Sequence, residues 1–273
     1  MRSINCKGTL ISLDTPKVMG ILNITPDSFY DGGKYKDAKS IVSQVEKMLK
    51  EGATFIDIGA YSSRPSAAKV TEEEEKQRLL PILELILGEF PNALISVDTF
   101  RSEIAKKAID IGATLINDIS AGNLDSQMMK TVGELNVPYI MMHMQGTPQN
   151  MQQDPFYENV TKDIIRELSE KIALARTHKV NDLIIDPGFG FGKTIAHNYT
   201  ILKQLDLFEI LNCPVLVGVS RKSMIYKVLE TSPQEALNGT SIIHTIALQN
   251  GASILRVHDV KEAVECVKLV SML

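Results

Sequence analysis

Val18-Met19-Gly20-Ile21-Leu22-Asn23-Ile24-Thr25-Pro26-Asp27-Ser28-Phe29 changes character halfway. Its first five residues are almost unbroken in apolarity, which suits a strand covered on both faces, as in a parallel sheet. A polar loop broken by proline follows at once. The same unit recurs along the chain. Phe55-Ile56-Asp57-Ile58 precedes Gly59-Ala60-Tyr61-Ser62-Ser63-Arg64-Pro65, Leu94-Ile95-Ser96-Val97 precedes Asp98-Thr99, and Thr114-Leu115-Ile116 precedes Asn117-Asp118. Tyr139-Ile140-Met141-Met142 runs into His143-Met144-Gln145-Gly146, and Leu183-Ile184-Ile185 into Asp186-Pro187-Gly188-Phe189-Gly190-Phe191-Gly192-Lys193. Val215-Leu216-Val217-Gly218-Val219 leads to Ser220-Arg221-Lys222, and Ala252-Ser253-Ile254-Leu255 to Arg256-Val257-His258-Asp259. Amphipathic helical patterns fill the intervals, for example 37–51, 156–177 and 233–249. Eight such units predict an α/β fold, a (β/α)8 TIM barrel. A doubly wound open sheet shares the pattern, because periodicity does not report closure.

The 273 residues suffice for one barrel, which typically takes roughly 250. No Pro/Gly/Ser-rich linker or low-complexity segment interrupts them, so residues 1–273 are expected to form a single domain. Residues 1–16 contain Ile4-Asn5-Cys6-Lys7-Gly8-Thr9-Leu10-Ile11-Ser12-Leu13-Asp14, a short N-terminal β-hairpin expected to plug the barrel bottom. With 29 Lys+Arg against 33 Asp+Glu the formal net charge is −4, which argues against nucleic acid as a partner. An anionic small molecule remains compatible, since a few local cations decide that. Cys6, Cys213 and Cys266 are odd in number and share no metal-type spacing; they read as reduced thiols of a cytoplasmic protein. No stretch has the length of a membrane span. In Thr71-Glu72-Glu73-Glu74-Glu75, Thr71 and Glu74 read as a capping box, with the acidic run favouring the positive end of a helix.

Nearly every carboxyl-terminal strand end carries a polar, ionisable or glycine-rich group, and in α/β barrels that rim builds the active site. Asp57, Asp98, Asn117 and Asp186 offer acceptors suited to a heterocycle with several N–H groups. Arg256 and His258, two apart, project to one face and can grip an anion together. Arg64, Arg221 and Lys222 add positive charge from neighbouring loops. Asn23, with an anionic ligand, supplies the oxygen coordination that Mg2+ prefers. Two motifs fail: Gly188-Phe189-Gly190-Phe191-Gly192 lacks dinucleotide-fingerprint spacing, and Gly192-Lys193-Thr194 lacks the first glycine of a P-loop. Those glycines either bring backbone close to a flat ligand or simply turn the chain. His178 and His197 read as surface residues and His244 as a packing residue; His143 suits rim support and ligand contact equally.

Taken in order, Met19–Phe29, Ser96-Val97-Asp98-Thr99, Ile116-Asn117-Asp118-Ile119-Ser120, Met142-His143-Met144-Gln145-Gly146, Asp186–Lys193, Ser220-Arg221-Lys222-Ser223 and Arg256-Val257-His258-Asp259 resemble the dihydropteroate synthases, folate-pathway transferases. The resemblance spans essentially the whole chain. It implies condensation of 6-hydroxymethyl-7,8-dihydropterin diphosphate with 4-aminobenzoate to 7,8-dihydropteroate and pyrophosphate, with Mg2+ as cofactor, in a homodimer. It further implies catalytic roles for Asp98, Asp186, Lys222 and Arg256. The pterin would meet Asp98, Asn117, Ile119, Met142, Asp186, Gly190, Phe191, Lys222 and Arg256. The diphosphate would face Asn23, Arg64, Arg256 and His258, with Asn23 as metal ligand. The aminobenzoate, and sulfonamide inhibitors that mimic it, would meet Ser63, Arg64, Pro65, Phe191, Lys222 and Ser223, with Arg221 nearby. Loops 25–35 and 62–70 would close over the substrates.

The sequence departs from that family in one place: Ala60-Tyr61-Ser62-Ser63-Arg64-Pro65-Ser66 stands where members commonly have Gly-Glu-Ser-Thr-Arg-Pro-Gly. Ser63 keeps a hydroxyl and Arg64-Pro65 is intact, so activity is expected to survive, whereas aminobenzoate and sulfonamide affinity is less directly implied. The main alternative is the methyltetrahydrofolate-binding barrel of a corrinoid-dependent methyltransferase, which would share the Asp/Asn pterin contacts. It would have no use for the paired Arg256 and His258 or for Thr25-Pro26-Asp27-Ser28-Phe29. A catalytically dead pterin-binding protein is a third reading, but no expected site residue is missing.

Overall fold

The computed structural model describes residues 2–24, 34–61, 70–148, 150–151 and 154–273. Two short antiparallel strands, β1 (Ser3–Cys6) and β2 (Thr9–Ser12), form the expected hairpin. Lys7 and Gly8, both at positive φ (51° and 84°), make its two-residue turn, the geometry that matches strand twist. Eight parallel strands follow: β3 (Lys17–Asn23), β4 (Phe55–Gly59), β5 (Leu94–Asp98), β6 (Leu115–Asp118), β7 (Tyr139–Met142), β8 (Leu183–Asp186), β9 (Leu216–Val217) and β10 (Ile254–Val257). Their order is β8-β7-β6-β5-β4-β3-β10-β9, and a parallel bridge from Ile185 to Val215 joins the two ends. The sheet therefore closes into a barrel, which excludes the open alternative. The apolar run 215–219 yields only a two-residue strand, because Gly218 and Val219 already leave the ladder.

Around the barrel lie α1 (Lys34–Lys50), α2 (Glu72–Glu89), α3 (Ser102–Ile111), α4 (Met128–Leu135), α5 (Val160–Thr177), α6 (Ile195–Lys203), the short α7 (Ser223–Tyr226), α8 (Leu237–Gln249) and α9 (Val260–Val270). Two of them start later than the periodicity suggests. α5 begins at Val160 rather than near Phe156, because the Asn159 side chain accepts from Lys162 N and caps it. The 233–249 stretch splits into a single 3-10 turn, Pro233–Glu235, and α8. The capping box of α2 is present as read, with Glu74 accepting from Thr71 N at 2.7 Å. Glu75 is different: it is fully buried, accepts from Thr99 Oγ1 at 2.7 Å and pairs with Arg101, whose Nη2 donates to Val70 O at 2.6 Å.

Alternation along each strand sorts the core into two bodies. Outward residues such as Val18, Ile56, Val97, Ile116, Met141, Ile185, Val217 and Leu255 pack beneath the helices. Inward residues Met19, Phe55, Leu115, Ile140, Ile184, Leu216 and Ile254 form a separate layer, into which the hairpin inserts Ile4 and Cys6. Each such aliphatic or aromatic side chain contributes about 1.5–3 kcal/mol by leaving water. The hairpin thus plugs the bottom, and the open end of the barrel is its carboxyl-terminal rim.

Candidate active site

Two residues beyond that apolar layer, the inward positions are Ile21, Asp57, Ser96, Asn117, Met142, Asp186, Gly218 and Arg256. On the strands that carry Asp57, Ser96, Asn117, Asp186 and Arg256 the change from apolar to polar happens in a single step of the strand period, and it marks the floor of the site. Arg256 is its hub. Arg256 Nε donates to Asp57 Oδ2 at 2.6 Å, and Nη2 donates to Asp98 Oδ2 at 2.9 Å. Asn117 Nδ2 donates to the same Asp57 oxygen at 3.1 Å, while Asp57 Oδ1 accepts nothing. Asp57 is fully buried, whereas the side chains of Asp98 and Arg256 keep 20% and 19% of their surface open to the mouth. Asp57 is therefore an anchor beneath the residues a ligand would reach.

Burial sets the proton affinities here. Desolvation raises Asp98 to about 7, with the Asp57 charge adding to the rise and the Arg256 guanidinium opposing it. Burial also raises Asp186, against the pull of Lys222 and the hydrogen bond from Gly188 N at 2.7 Å. Lys222 moves the other way, lowered by burial to about 8 despite Asp186. A mouth where burial raises two carboxylates and lowers a lysine is a functional-site signature. Burial, with the Arg256 charge next in size, lowers His258 to about 4, so the imidazole is neutral at pH 7.

Gly218, on the inward face of this rim, leaves the place of a side chain open between the charged groups. A Cβ built on Gly218 would lie 3.9 Å from Arg256 Cβ, 3.9 Å from Lys222 Nζ and 4.0 Å from Asp186 Oδ2. Ile119, Met142, Met144 and Met151 form an apolar wall, with Phe100 and Phe191 packed against it. Lys222 Nζ donates to Phe189 O and stands 4.8 Å from the centroid of the Phe191 ring.

Comparison with known proteins is decisive at this point. The model of the pterin binding enzyme family matches residues 19–258. Dihydropteroate synthase of Escherichia coli K12 is 44% identical over 266 residues, covering 97% of this chain and 94% of its own. That of Bacillus subtilis is 39% identical, covering 92% and 86% respectively. Among solved structures, Yersinia pestis dihydropteroate synthase in complex with a sulfonamide drug superposes with a TM-score of 0.93 at 40% identity, covering 99% of this chain and 98% of that one. The Xanthomonas albilineans enzyme in complex with 7,8-dihydropteroate gives 0.89 at 35% identity, with the same coverage. The chain belongs to the dihydropteroate synthase family. Membership makes it a transferase of folate biosynthesis.

Within this dihydropteroate synthase fold, the structure brings together Asp98, Asn117, Ile119, Met142, Asp186, Gly190, Phe191, Lys222 and Arg256 around one mouth. Ser223 follows Lys222 at the start of α7, and Asn23 stands exposed at the end of β3. Ser63, Arg64 and Pro65 lie outside the described residues, as do most of loops 25–35 and 62–70. The cationic groups are used differently from a simple anion grip. Arg256 is engaged by two carboxylates. Arg221 forms a two-point pair with Asp259, at 2.8 and 2.9 Å, and also donates to Pro233 O at 2.8 Å. His258 Nδ1 lies 3.1 Å from Ser220 Oγ. Asp57 is the residue whose role sequence reading did not isolate, since a strand pattern shows that it points inward but not that it anchors Arg256. His143 proves to be rim support, 4% exposed beneath the mouth, and His244 is buried in α8. Gly188 turns the chain at φ +72°, where a Cβ would come within 1.9 Å of His143 O.

Proposed function

We propose that this mouth joins 6-hydroxymethyl-7,8-dihydropterin diphosphate to 4-aminobenzoate, giving 7,8-dihydropteroate and pyrophosphate. The observation that carries the reading is the convergence of Asp98, Asn117, Asp186, Lys222 and Arg256 around one mouth, in a chain of this family. The pterin lies against Ile119, Met142, Gly190 and Phe191, and its N–H groups are received by Asp98, Asn117 and Asp186. Arg256, His258, Asn23 and Arg64 face the diphosphate. Phe191, Lys222, Ser223 and the 63–65 stretch meet the aminobenzoate, a place that sulfonamides would contest.

Aromatic amines are weak nucleophiles, so in this scheme the methylene C–O bond ionises before attack. Positive charge spreads over the pterin and is stabilised by the Asp98 and Asp186 carboxylates, while Arg256 faces the departing diphosphate. The amine nitrogen then bonds to the methylene carbon and releases one proton. Among the described residues no group of three or more His, Cys, Asp or Glu side chains is placed to hold a metal. Mg2+ is commonly held by one or two protein oxygens together with substrate phosphates, and Asn23 stands exposed at the end of β3. Asn23 would supply the protein oxygen, and the ion would offset charge on the leaving group.

Pyrophosphate release from the pterin diphosphate, measured with and without 4-aminobenzoate and with and without Mg2+, tests the scheme. With both substrates and the ion, release with dihydropteroate formed in equal amount is expected; with 4-aminobenzoate omitted, slower Mg2+-dependent cleavage should persist, and its complete absence would refute ionisation before attack. Absence of release with everything present refutes the reading, and pterin binding without Mg2+-dependent pyrophosphate binding would favour the methyltetrahydrofolate-binding alternative. The same reading makes the enzyme cytoplasmic, in keeping with three free, buried cysteines. It also makes the enzyme a homodimer. Ile242 and Ile246 of α8, 53% and 36% exposed, with Val228 and Leu229 after α7, offer an apolar face for a second copy. Light scattering that returns only the monomer mass at micromolar concentration would exclude the dimer.

A further inference from the structure

Beneath the mouth lies a buried lysine that the reaction scheme does not use. Lys193 is 4% exposed, and its ammonium meets three acceptors: His143 Nδ1 at 3.0 Å, Phe191 O at 2.9 Å and His143 O at 3.4 Å. Three protons and three acceptors match the charged amine. The histidine must then accept at Nδ1 and carry its proton on Nε2, and Nε2 stands 3.1 Å from Glu167 Oε2. That contact is poorly aligned for a hydrogen bond, so the Glu167 charge acts on the Nε2–H end of a neutral imidazole dipole. Glu167 of α5 is half exposed, so a line of polar groups runs from solvent, through His143 at the end of β7, to the peptide that carries Phe191.

The segment from Asp186 to Lys193 is pinned at several peptides. Asp186 Oδ1 accepts from Gly188 N at 2.7 Å, Asn198 Oδ1 accepts from Gly190 N at 2.8 Å, and Tyr157 Oη donates to Gly192 O at 2.8 Å. Phe189 O takes Lys222 Nζ, and Phe191 O takes Lys193 Nζ. Among the described hydrogen bonds to the Phe191 carbonyl, Lys193 supplies the only side chain. The Phe191 ring in turn sits beside Lys222 and against the Met142 wall.

We infer that Lys193 is a positioning residue: backed by His143 and Glu167, it fixes the Phe191 peptide and so sets the shape of the aminobenzoate end of the mouth. The inference rests on the proposed reaction for its substrate, but not for its geometry. Lys193 touches neither reacting atom, so its loss should weaken binding more than chemistry. Burial lowers Lys193 to about 7, with Asp186 and Glu167 opposing that fall and Lys222 adding to it. His143, also lowered by burial and by Lys193, is neutral beside it. Loss of the Lys193 proton removes one of its three donors, so aminobenzoate affinity should decline as pH rises past that point.

Lys193→Met keeps the aliphatic stem and removes the donors. It is expected to raise KM for 4-aminobenzoate by about tenfold, as for loss of a charge-assisted hydrogen bond, while kcat changes less than about threefold. Unchanged KM, or a loss confined to kcat, overturns the inference. Glu167→Gln alters only an exposed carboxylate, so it serves even if Lys193→Met fails to fold. Removing that negative charge disfavours the Lys193 proton, and the alkaline rise in KM should begin at lower pH; an unmoved profile overturns the inference. A third readout does not need turnover. The chain has no tryptophan, so Phe191→Trp installs a single reporter. Adding Lys193→Met or Glu167→Gln should lower its fluorescence anisotropy, and unchanged anisotropy in both overturns the positioning role. A wild-type enzyme inert in the pyrophosphate assay would instead refute the reaction scheme, leaving this readout to decide on Lys193.

Discussion

Asp57→Asn isolates the charge of the buried anchor from its shape. Asp57 uses one oxygen for both Arg256 Nε and Asn117 Nδ2 and leaves the other unpartnered. An asparagine can therefore place its carbonyl oxygen where Oδ2 now stands and its amide nitrogen where Oδ1 stands, which preserves both hydrogen bonds. What disappears is the charge. A hydrogen bond to a charged group is worth about 1.5–3 kcal/mol against about 0.5–1.5 for a neutral one. Two bonds weakened by about 1 kcal/mol each give a loss of about 2 kcal/mol. The loss of about 3–5 kcal/mol seen when a buried pair loses one partner does not apply, because Arg256 keeps Asp98 and some solvent. For a chain of this size the melting temperature should fall by about 4–8 °C. Pyrophosphate release should fall by about tenfold, because Arg256 and Asn117 lose a common fixed point at the site's floor. Thermal unfolding followed by circular dichroism and the pyrophosphate assay read the two effects. Asp57→Ala, which removes the acceptor as well, should cost more than Asp57→Asn in both. An Asp57→Asn protein as stable and as active as the parent would refute the anchor.

Asp98 binds its proton more tightly folded, at about 7, than an ordinary carboxylate does. Its stabilising contribution is therefore complete at acid pH and is lost as pH rises through 7; Asp98→Asn should gain melting temperature relative to the parent between pH 5 and 8, and a constant difference would exclude this. Removing the Asp57 charge lowers Asp98, so in Asp57→Asn the acid-side loss of pterin binding should move to lower pH, read by titration calorimetry. Gly218→Ala adds a methyl group at ordinary contact distances within the mouth; the fold should hold to within about 0.5 kcal/mol, while pterin affinity drops by about tenfold or more, and equal affinity would show that no ring enters there. Gly188→Ala meets both a positive φ and His143 O; a loss of more than about 3 kcal/mol is expected, measured by urea unfolding.

Much of the site was legible because the strand period is two and the barrel is covered outside by helices. A polar residue at the end of an apolar run, as with Asp98, Asn117 and Asp186, has few places to go except the rim. Glu75 shows the opposite case. Within an acidic run it reads as one more charge at the positive end of a helix, yet Thr99 and Arg101 take it into the interior, and nothing local to residues 71–75 announces partners some 25 positions away. Arg221 is similar: its sequence neighbours suggest an anion site, and Asp259 supplies the carboxylate that holds it.

By itself the sequence determined the alternation of buried strands and amphipathic helices, the family, and the residue types along the rim, because these follow from local periodicity and ordered motifs. Closure, through Ile185 and Val215, was decided only in three dimensions. So was the choice of which carboxylate would anchor and which would face a ligand. Asp57 and Asp98 read alike in the chain, and only the depth of each along its strand, set by the register of β4 on β5, puts one under the floor and the other in the mouth. Burial depth then fixes the proton affinity of each group, and that depends on every element packed around it.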